Sequence, residues 1–287
     1  MLGLEKSQFA KKLFAKYRRH KISKYHGIHQ KEIQGSKILL DLDDPLSVRD
    51  LFFEGLHGYA VTSCFYNEVE RGMTIFDIGA SVGYYTLIAA RLTGEGGSVF
   101  SFEPSDKNCE LIRKNIELNT YKNITVINKA VGEKTKKGKL FINPYESADN
   151  RIIELNDQRE TVDIEIISLD GFVKKNNVEP NFVKIDVQAS EYLVLDGMSN
   201  LLKSKRPLKL IIEFSSRQDE KKAEKFVSSL NNLSNLGLDA YYLKEPKKTL
   251  DVKSNTEYET NIKFSLNDFK NPGFSKFDEV DLLFIRK

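Results

Sequence analysis

The stretch Asp77-Ile-Gly-Ala-Ser-Val-Gly83 closes an apolar segment, residues 73–78, and precedes a second apolar run that begins at Tyr84. An apolar segment that ends in a glycine turn and gives way to a longer apolar run predicts a buried strand followed by a helix. Glycines at 79 and 83 allow the backbone to turn sharply and to approach a ligand without a Cβ in the way. The stretch is not G-x-G-x-x-G and has no Walker lysine, so a loop that binds nucleotide phosphates is disfavoured.

The same alternation continues beyond this loop. A second strand is predicted over residues 98–102, a helix capped by Ser105 follows it, and a third strand is predicted over residues 124–127. Strands that alternate with helices in this way run parallel and are joined by right-handed crossovers. The sequence therefore predicts an α/β fold with a doubly wound, mostly parallel, Rossmann-like sheet.

The second half of the chain extends this sheet and adds two hairpins. Residues 138–143 and 161–167 predict a hairpin inserted around a polar loop, and residues 239–243 and 280–285 predict an antiparallel hairpin at one edge of the sheet. The remaining predicted elements are a strand over 181–186, a helix over 191–202, a strand over 208–214 and a helix over 221–233.

The positive charge of the chain is concentrated at its N-terminus. Residues 1–24 contain eight basic side chains and one acid, a net charge of +7, so the remaining 263 residues carry −4 of the total of +3. Phe9, Leu13 and Tyr17 recur at helical spacing, which predicts a basic amphipathic helix. Such a helix binds anionic lipid or nucleic acid, or docks on its own domain by its apolar stripe.

The residues between this helix and the first strong strand are expected to form a cap over the site. A strand is predicted over 37–42, one helix is predicted to begin at Ser47, and another is predicted over 62–70. We therefore divide the chain into an N-terminal basic helix with cap elements, residues 1–70, and a catalytic domain, residues 71–287.

The composition excludes several classes of protein. With 40% hydrophobic and 30% charged residues, the 287-residue chain can bury a core, and no apolar run reaches the roughly 18–20 residues that span a bilayer. Cys64 and Cys109 form no disulfide framework, and no Cys/His cluster has the spacing of metal ligands, so we expect no metal. Charged residues occupy the place of a signal peptide's apolar segment, and we expect a cytoplasmic protein.

Polar residues at strand ends predict a binding crevice, because ligands of open α/β sheets bind beyond the carboxyl ends of the strands. Glu103 ends the second predicted strand about twenty residues after the glycine loop, where an acid accepts both hydroxyls of a ribose. Asn128 and Ala130, after the third strand, would border an adenine. The alternative for each residue is an ordinary strand-end role, such as Asp77 capping its own loop.

Five motifs resemble, in order and spacing, the FkbM family of S-adenosylmethionine-dependent methyltransferases. They are Asp77-Ile-Gly-Ala-Ser-Val-Gly-Tyr-Tyr-Thr86, Phe102-Glu-Pro-Ser105, Asn115-Ile-Glu-Leu-Asn119, Ala130-Val-Gly132 and Lys184-Ile-Asp-Val187. The resemblance covers about residues 70–215 and implies S-adenosylmethionine as cofactor, with S-adenosylhomocysteine as product. The resemblance implies that the methionine part of the cofactor lies over Gly79, Ala80 and Gly83, and that Glu103 holds the ribose. It also implies that the adenine lies near Ser105, Asn128 and Ala130, and that Asp77 belongs to the cofactor site.

The chain departs from the family pattern in two places. Where the family usually continues Lys-Ile-Asp-Val-Glu-Gly, this chain has Gln188 and Ala189 after Val187. A histidine that the family often carries just after the fifth strand is absent, and Glu213-Phe-Ser-Ser216 stands there. Both departures affect residues expected near the molecule that accepts the methyl group. The residues expected to bind the cofactor are unchanged.

Lys184 and Asp186 are the predicted catalytic residues, because they lie two apart on a strand and so point to the same face. We expect Asp186 to contact the acceptor hydroxyl or the cofactor amino group. Lys184 would stabilise a developing alkoxide, or act as a base if burial lowers its pKa. The alternative is that Lys184 forms a purely structural ion pair with Asp186, or with Glu213 on the neighbouring strand. Secondary candidates are Glu191, Glu213, Asn150 and Arg151.

The sequence thus predicts a metal-independent methyltransferase that acts on a hydroxyl of a sugar or related small metabolite, with a small-molecule or glycan acceptor. Methyl transfer from a sulfonium is an in-line displacement, so the protein contributes alignment and removal of the acceptor proton. Two alternatives are an RNA methyltransferase that binds nucleic acid through residues 1–24, and a cofactor-binding protein without turnover.

Overall fold

A computed structural model of the chain describes residues 25–44, 47–144, 147–154, 158–215, 220–243 and 279–287. The strands in these ranges are β1 (Ile28–Ile33), β2 (Ser36–Asp41), β3 (Thr74–Ile78), β4 (Ser98–Phe102), β5 (Ile124–Ile127), β6 (Ala130–Val131), β7 (Lys136–Phe141), β8 (Thr161–Ile167), β9 (Phe182–Ile185), β10 (Leu208–Ser215), β11 (Asp239–Leu243) and β12 (Glu279–Arg286). The helices are α1 (Ser47–Glu54), α2 (Tyr59–Glu68), α3 (Tyr84–Thr93), α4 (Asp106–Asn119), α5 (Leu169–Asn176), α6 (Glu191–Asp196), α7 (Ser199–Lys203) and α8 (Glu220–Asn235). The basic helix predicted within residues 1–24 lies outside the described residues.

Seven of the described strands form the central sheet, in the order β11-β12-β10-β9-β3-β4-β5. Five neighbouring strands, from β10 to β5, run parallel to one another. β12 is antiparallel to both of its neighbours, β10 and β11. The predicted α/β fold, with a mostly parallel sheet and an antiparallel hairpin at one edge, is confirmed.

Helices cover both faces of this sheet, which explains why its strands read as continuous apolar runs. Along β3, Ile75 belongs to one apolar cluster, whereas Phe76 and Ile78 belong to a second cluster on the other face. α3 contributes Leu87 to the first cluster, and α8 contributes Phe226 to the second. Among the described helices, none is long and apolar enough to cross a membrane.

The structure differs from the sequence prediction around residues 191–202, where two short helices, α6 and α7, replace the single predicted helix. Gly197 follows α6, and a Cβ at this position would lie 2.0 Å from the carbonyl oxygen of Gly132. The chain therefore turns where another loop presses against it, although the apolar spacing continues across the break. The sequence patterns also do not predict β1, β6 or α5.

The hairpin of β1 and β2 attaches to the central domain through two asparagine side chains of α4. Oδ1 of Asn115 accepts a hydrogen bond from the N–H of Leu39 at 2.6 Å, and its Nδ2 donates to the carbonyl oxygen of Leu39 at 3.4 Å. Asn119, one turn later, makes the same pair of bonds with Lys37 at 2.8 and 2.6 Å. The two amides thus occupy the edge of β2 as a neighbouring strand would.

Replacing Asn115 by alanine should lower the free energy of unfolding by about 1–3 kcal/mol, because backbone groups of Leu39 would lose their partner in a buried place. Asn115 itself is fully buried. Urea unfolding followed by circular dichroism measures the change. The matched control is Asn119→Ala, which should cost less because water reaches the exposed Lys37. Equal losses in the two variants would contradict this account.

Candidate active site

A cavity of about 280 Å³ opens beyond the carboxyl ends of the parallel strands. One part of its wall is the glycine loop after β3 together with the ends of β4, β9 and β10. A second part is the insertion, through the loop between β7 and β8. The third part is the cap, through α1 and the loop before α2. The topology of an open α/β sheet places a ligand site at this position.

Gly79 brings two loops of this cavity into contact. It has a φ of +79°, and its N–H donates to the carbonyl oxygen of Phe102 at 3.0 Å. A Cβ at residue 79 would lie 1.8 Å from the carbonyl oxygen of Asp186. The glycine therefore serves the close approach between the loop after β3 and the loop after β9, so that the two loops form one surface.

Glu103 is a buried carboxylate on the cavity wall, with 5% of its surface exposed. Its Oε2 accepts a hydrogen bond from the N–H of Ser81 at 2.9 Å, and its Oε1 accepts from the N–H of Ser105 at 3.0 Å. Burial raises the pKa of Glu103 to about 7, although these backbone hydrogen bonds oppose the shift. The carboxylate is held in one orientation and has further capacity to accept hydrogen bonds from a ligand.

The structure separates the predicted site residues into those that reach the cavity and those behind it. Those that line it are Gly79, Ala80, Glu103, Ala130, Lys184 and Asp186. The other four support the wall. Gly83 directly precedes α3, and Ser105 caps α4 by accepting a hydrogen bond from the N–H of Asn108. Asn128 donates to the two carbonyl oxygens that follow β4, and Asp77 is fully buried.

Lys184 lies between two carboxylates. Its Nζ is 2.9 Å from Oδ2 of Asp186 and 3.9 Å from Oδ1 of Asp77, and it sits 4.9 Å from the ring centre of Tyr85. Only 4% of the Lys184 side chain is exposed, whereas 24% of that of Asp186 is. Asp77 also accepts a hydrogen bond from the hydroxyl of Thr86 at 2.6 Å. The cluster therefore runs from the core of the sheet to the cavity.

The ionic cluster decides which of its members can take up a proton. Burial opposes the charge of Lys184, but Asp186 and Asp77 outweigh it and raise the pKa of the lysine. Burial also opposes ionisation of Asp186, but Lys184 and a hydrogen bond with Glu213 hold the pKa of Asp186 below its ordinary value. The predicted alternative of Lys184 as a base, which needed a lowered pKa, is contradicted. The lysine stays protonated and offers positive charge.

The loop after β9 contains two successive non-glycine residues in the left-handed region, Gln188 with a φ of +53° and Ala189 with a φ of +71°. Such backbone is costly for residues with a Cβ and persists only where the surroundings enforce it. Glu191 enforces it here, since its Oε1 accepts hydrogen bonds from the N–H groups of Val187 and Ala189 at 3.1 and 3.2 Å. Burial raises the pKa of Glu191 to about 7.

This turn places the amide of Gln188 between two carboxylates. Its Nε2 donates to Oδ1 of Asp186 at 3.1 Å and to Oε2 of Glu213 at 3.3 Å. Both acids line the cavity, as Gln188 does. A glutamate at 188 would add a third carboxylate to this group, whereas glutamine supplies a hydrogen-bond donor.

Three further residues that the sequence patterns did not single out line the cavity: His57, Tyr84 and Tyr85. The two tyrosines directly follow the glycine loop, so their position there could have indicated them. No pattern marks His57. Asn150 and Arg151, predicted to face an acceptor, do line the cavity from the insertion. Within the described ranges, no three His, Cys, Asp or Glu side chains are grouped in a way that would hold a metal ion.

Comparison with known proteins agrees with this geometry. The sequence profile of the methyltransferase FkbM domain matches residues 77–277. The chain belongs to the FkbM family of S-adenosylmethionine-dependent methyltransferases. The match begins at the glycine loop and extends beyond the region of the sequence resemblance, which ends near residue 215.

Two curated relatives share part of this FkbM-family chain. It is 28% identical over 162 residues to the hexuronic acid methyltransferase AglP of Haloferax volcanii, which covers 56% of this chain and 64% of AglP. It is 35% identical over 86 residues to the protein-L-isoaspartate O-methyltransferase of Methanococcoides burtonii, which covers 30% of this chain and 42% of that protein. The chain therefore spans less than two thirds of the length of either relative.

Two solved structures share partial similarity with the FkbM-family chain. An S-adenosylmethionine-dependent methyltransferase from Agrobacterium tumefaciens matches 92% of this chain and 71% of its own, with 12% identity and a TM-score of 0.47. The precorrin-6y C5,15-methyltransferase from Geobacter metallireducens matches 80% of this chain and 88% of its own, with 15% identity and a TM-score of 0.42.

Replacing Gly79 by alanine should lower the free energy of unfolding by roughly 2–4 kcal/mol, because a Cβ would meet the Asp186 carbonyl and a left-handed backbone would carry a side chain. Chemical denaturation measures the loss. Gly96→Ala is the matched control, since no atom lies within 4 Å of a Cβ there. The control should stay within about 0.5 kcal/mol of the parent. A Gly79 variant as stable as the control would refute the close contact.

Proposed function

We propose that this FkbM-family chain transfers the methyl group of S-adenosylmethionine to a hydroxyl of a sugar or related small metabolite, without a metal ion. The observation that carries the proposal is that one cavity joins the buried carboxylate of Glu103 to the ionic cluster of Lys184 and Asp186. The carboxylate suits a ribose, and the cluster suits a polar acceptor.

The residues of the cofactor half fit S-adenosylmethionine. Glu103 presents a carboxylate that the backbone at Ser81 and Ser105 orients, and an acid after the second strand accepts both hydroxyls of a ribose. Gly79 and Ala80 expose backbone rather than large side chains to the cavity. When bound, S-adenosylmethionine supplies an electrophilic methyl group on a positively charged sulfur.

The acceptor half supplies charge and enclosure. The protonated Lys184 would stabilise negative charge that develops on the acceptor oxygen. The ionised Asp186 would accept a hydrogen bond from the acceptor hydroxyl or from the cofactor amino group. α1 and the loop between β7 and β8 border the same cavity and would enclose part of the acceptor.

Two observations support a sugar as acceptor. The insertion lines the cavity with Asp149, Asn150 and Arg151, polar side chains that could orient several hydroxyls. The partial similarity to AglP, named a hexuronic acid methyltransferase, points in the same direction. The RNA methyltransferase alternative depends on the basic residues 1–24, which lie outside the described residues.

Cofactor binding and turnover test the proposed function directly. S-adenosylhomocysteine at 100 times its Kd should stabilise the folded chain by about 2.7 kcal/mol, which thermal unfolding detects. Incubation with S-adenosylmethionine and a panel of hexoses and hexuronic acids should yield a methylated sugar by mass spectrometry. Methylation of RNA alone would favour the RNA alternative. Stabilisation without any product would favour a cofactor-binding protein, and no stabilisation would contradict the assignment.

Cofactor affinity should rise with pH between about pH 6 and pH 8. Since burial raises the pKa of Glu103 to about 7, the carboxyl is mostly protonated at the lower pH and mostly ionised at the higher. If only the ionised form accepts both ribose hydroxyls, affinity rises by about tenfold over this range. Calorimetric titration with S-adenosylhomocysteine measures it. The Glu103→Gln variant should bind S-adenosylhomocysteine weakly at both pH values. If its affinity still rose with pH as in the parent, a group other than Glu103 would be responsible for the pH dependence.

A further inference from the structure

We infer that His57, a residue of the N-terminal cap, is the general base that removes the proton of the acceptor hydroxyl. The inference rests on the proposed function and adds a residue to the acceptor half of the same cavity. His57 lies in the loop between α1 and α2, is exposed, and lines the cavity that Lys184 and Asp186 also line.

Two hydroxyl groups, one from α2 and one from α3, hold the backbone of His57. Its carbonyl oxygen accepts a hydrogen bond from Oγ1 of Thr62 at 2.8 Å and from the hydroxyl of Tyr85 at 3.0 Å. The next residue, Gly58, has a φ of +56°, and a Cβ there would lie 2.6 Å from the Tyr85 hydroxyl oxygen. The loop is therefore packed closely, and the position of residue 57 relative to the cavity is fixed.

The same contacts bring the imidazole close to the ionic cluster. Its ring centre lies 6.2 Å from the ring centres of both Tyr84 and Tyr85. The Nζ of Lys184 in turn lies over the ring of Tyr85. Burial, Lys184 and Glu213 dominate the pKa of Asp186, and the charge of His57 adds to the groups that lower it. The imidazole and the carboxylate are thus within electrostatic reach of each other.

The other ionisable groups that face this part of the cavity are poorly suited to take up a proton. Burial raises the pKa of Tyr84 to about 12 and that of Tyr85 well above its ordinary value, so both stay protonated. Lys184 is protonated, and Asp186 has a lowered pKa that makes it a weak base. Glu213 is hydrogen-bonded to Asp186 as well as to the amide of Gln188, so its carboxyl group is already engaged. An imidazole, with an ordinary pKa of about 6.5, is matched to proton transfer near neutral pH.

The acceptor oxygen forms a bond to the methyl carbon, and the bond between that carbon and sulfur breaks with its electron pair left on sulfur. The hydroxyl proton passes to a nitrogen of His57. The resulting imidazolium faces the negative charge of Asp186, and because His57 is exposed, the proton is then lost to water.

Titration of His57 by NMR tests the pairing without any acceptor. The chain has four histidines, and the signal that disappears in His57→Gln identifies residue 57. Asp186→Asn should lower the pKa of His57 by about half a pH unit or more, because an anion nearby favours the imidazolium. His26, which is paired with Asp43, should titrate unchanged in the same spectra. A His57 pKa that is the same in both proteins would overturn the inference.

Kinetics with a hydroxyl acceptor found in the sugar screen tests the catalytic role. His57→Gln should lower kcat by about 10²–10⁴-fold, should remove the rise in rate through the pKa measured for His57, and should leave the affinity for S-adenosylhomocysteine within about twofold. His26→Gln, outside the cavity, is the matched control and should behave as the parent. A His57→Gln variant whose rate stays within about threefold of the parent would overturn the inference. Methylation of a carboxylate, which has no proton to lose, in place of a hydroxyl would overturn it as well.

Discussion

The ion pair between Asp77 and Lys184 joins the two central strands of the sheet at the edge of the cavity. The two residues are register partners on β3 and β9. Both are buried, and loss of Lys184 would leave the buried carboxylate of Asp77 without its counter-charge, a change that typically costs about 3–5 kcal/mol. Lys184 also contacts Asp186, so the group that stabilises the sheet holds the carboxylate that faces the ligand. A structural role of Lys184 is therefore compatible with the proposed catalytic one.

The loop after β9 explains how the chain tolerates its departure from the family motif. Asp77, Asp186 and Glu213 share the single lysine of the cluster, and a further acid at 188 would increase the repulsion. The amide of Gln188 instead donates to two of these acids. Ala189 retains the left-handed backbone that glycine would adopt without strain, because Glu191 anchors the turn. The loop after β9 is thus held in one conformation although its sequence departs from the family motif.

The structural features of the proposed cofactor half were predictable from sequence because their signals are local. The apolar segment before Gly79, the acid that ends β4 and the cap at Ser105 each lie within a few residues of the feature that they predict. The break at Gly197 was not predictable, since it depends on the carbonyl of Gly132, more than sixty residues away. His57 was equally hidden, because its place at the cavity depends on a hydrogen bond from Tyr85, 28 residues later in the chain.

The attachment of the β1–β2 hairpin affects the shape of the cavity wall. Asn115 and Asn119 bind only backbone atoms of β2, so they place few demands on the side chains of that strand. The residues that follow the hairpin, including Val48, Leu51 and His57, line one side of the cavity. Side-chain changes at these cap positions would alter the shape of the cavity wall, whereas the glycine loop and Glu103 are held by backbone hydrogen bonds of the central domain.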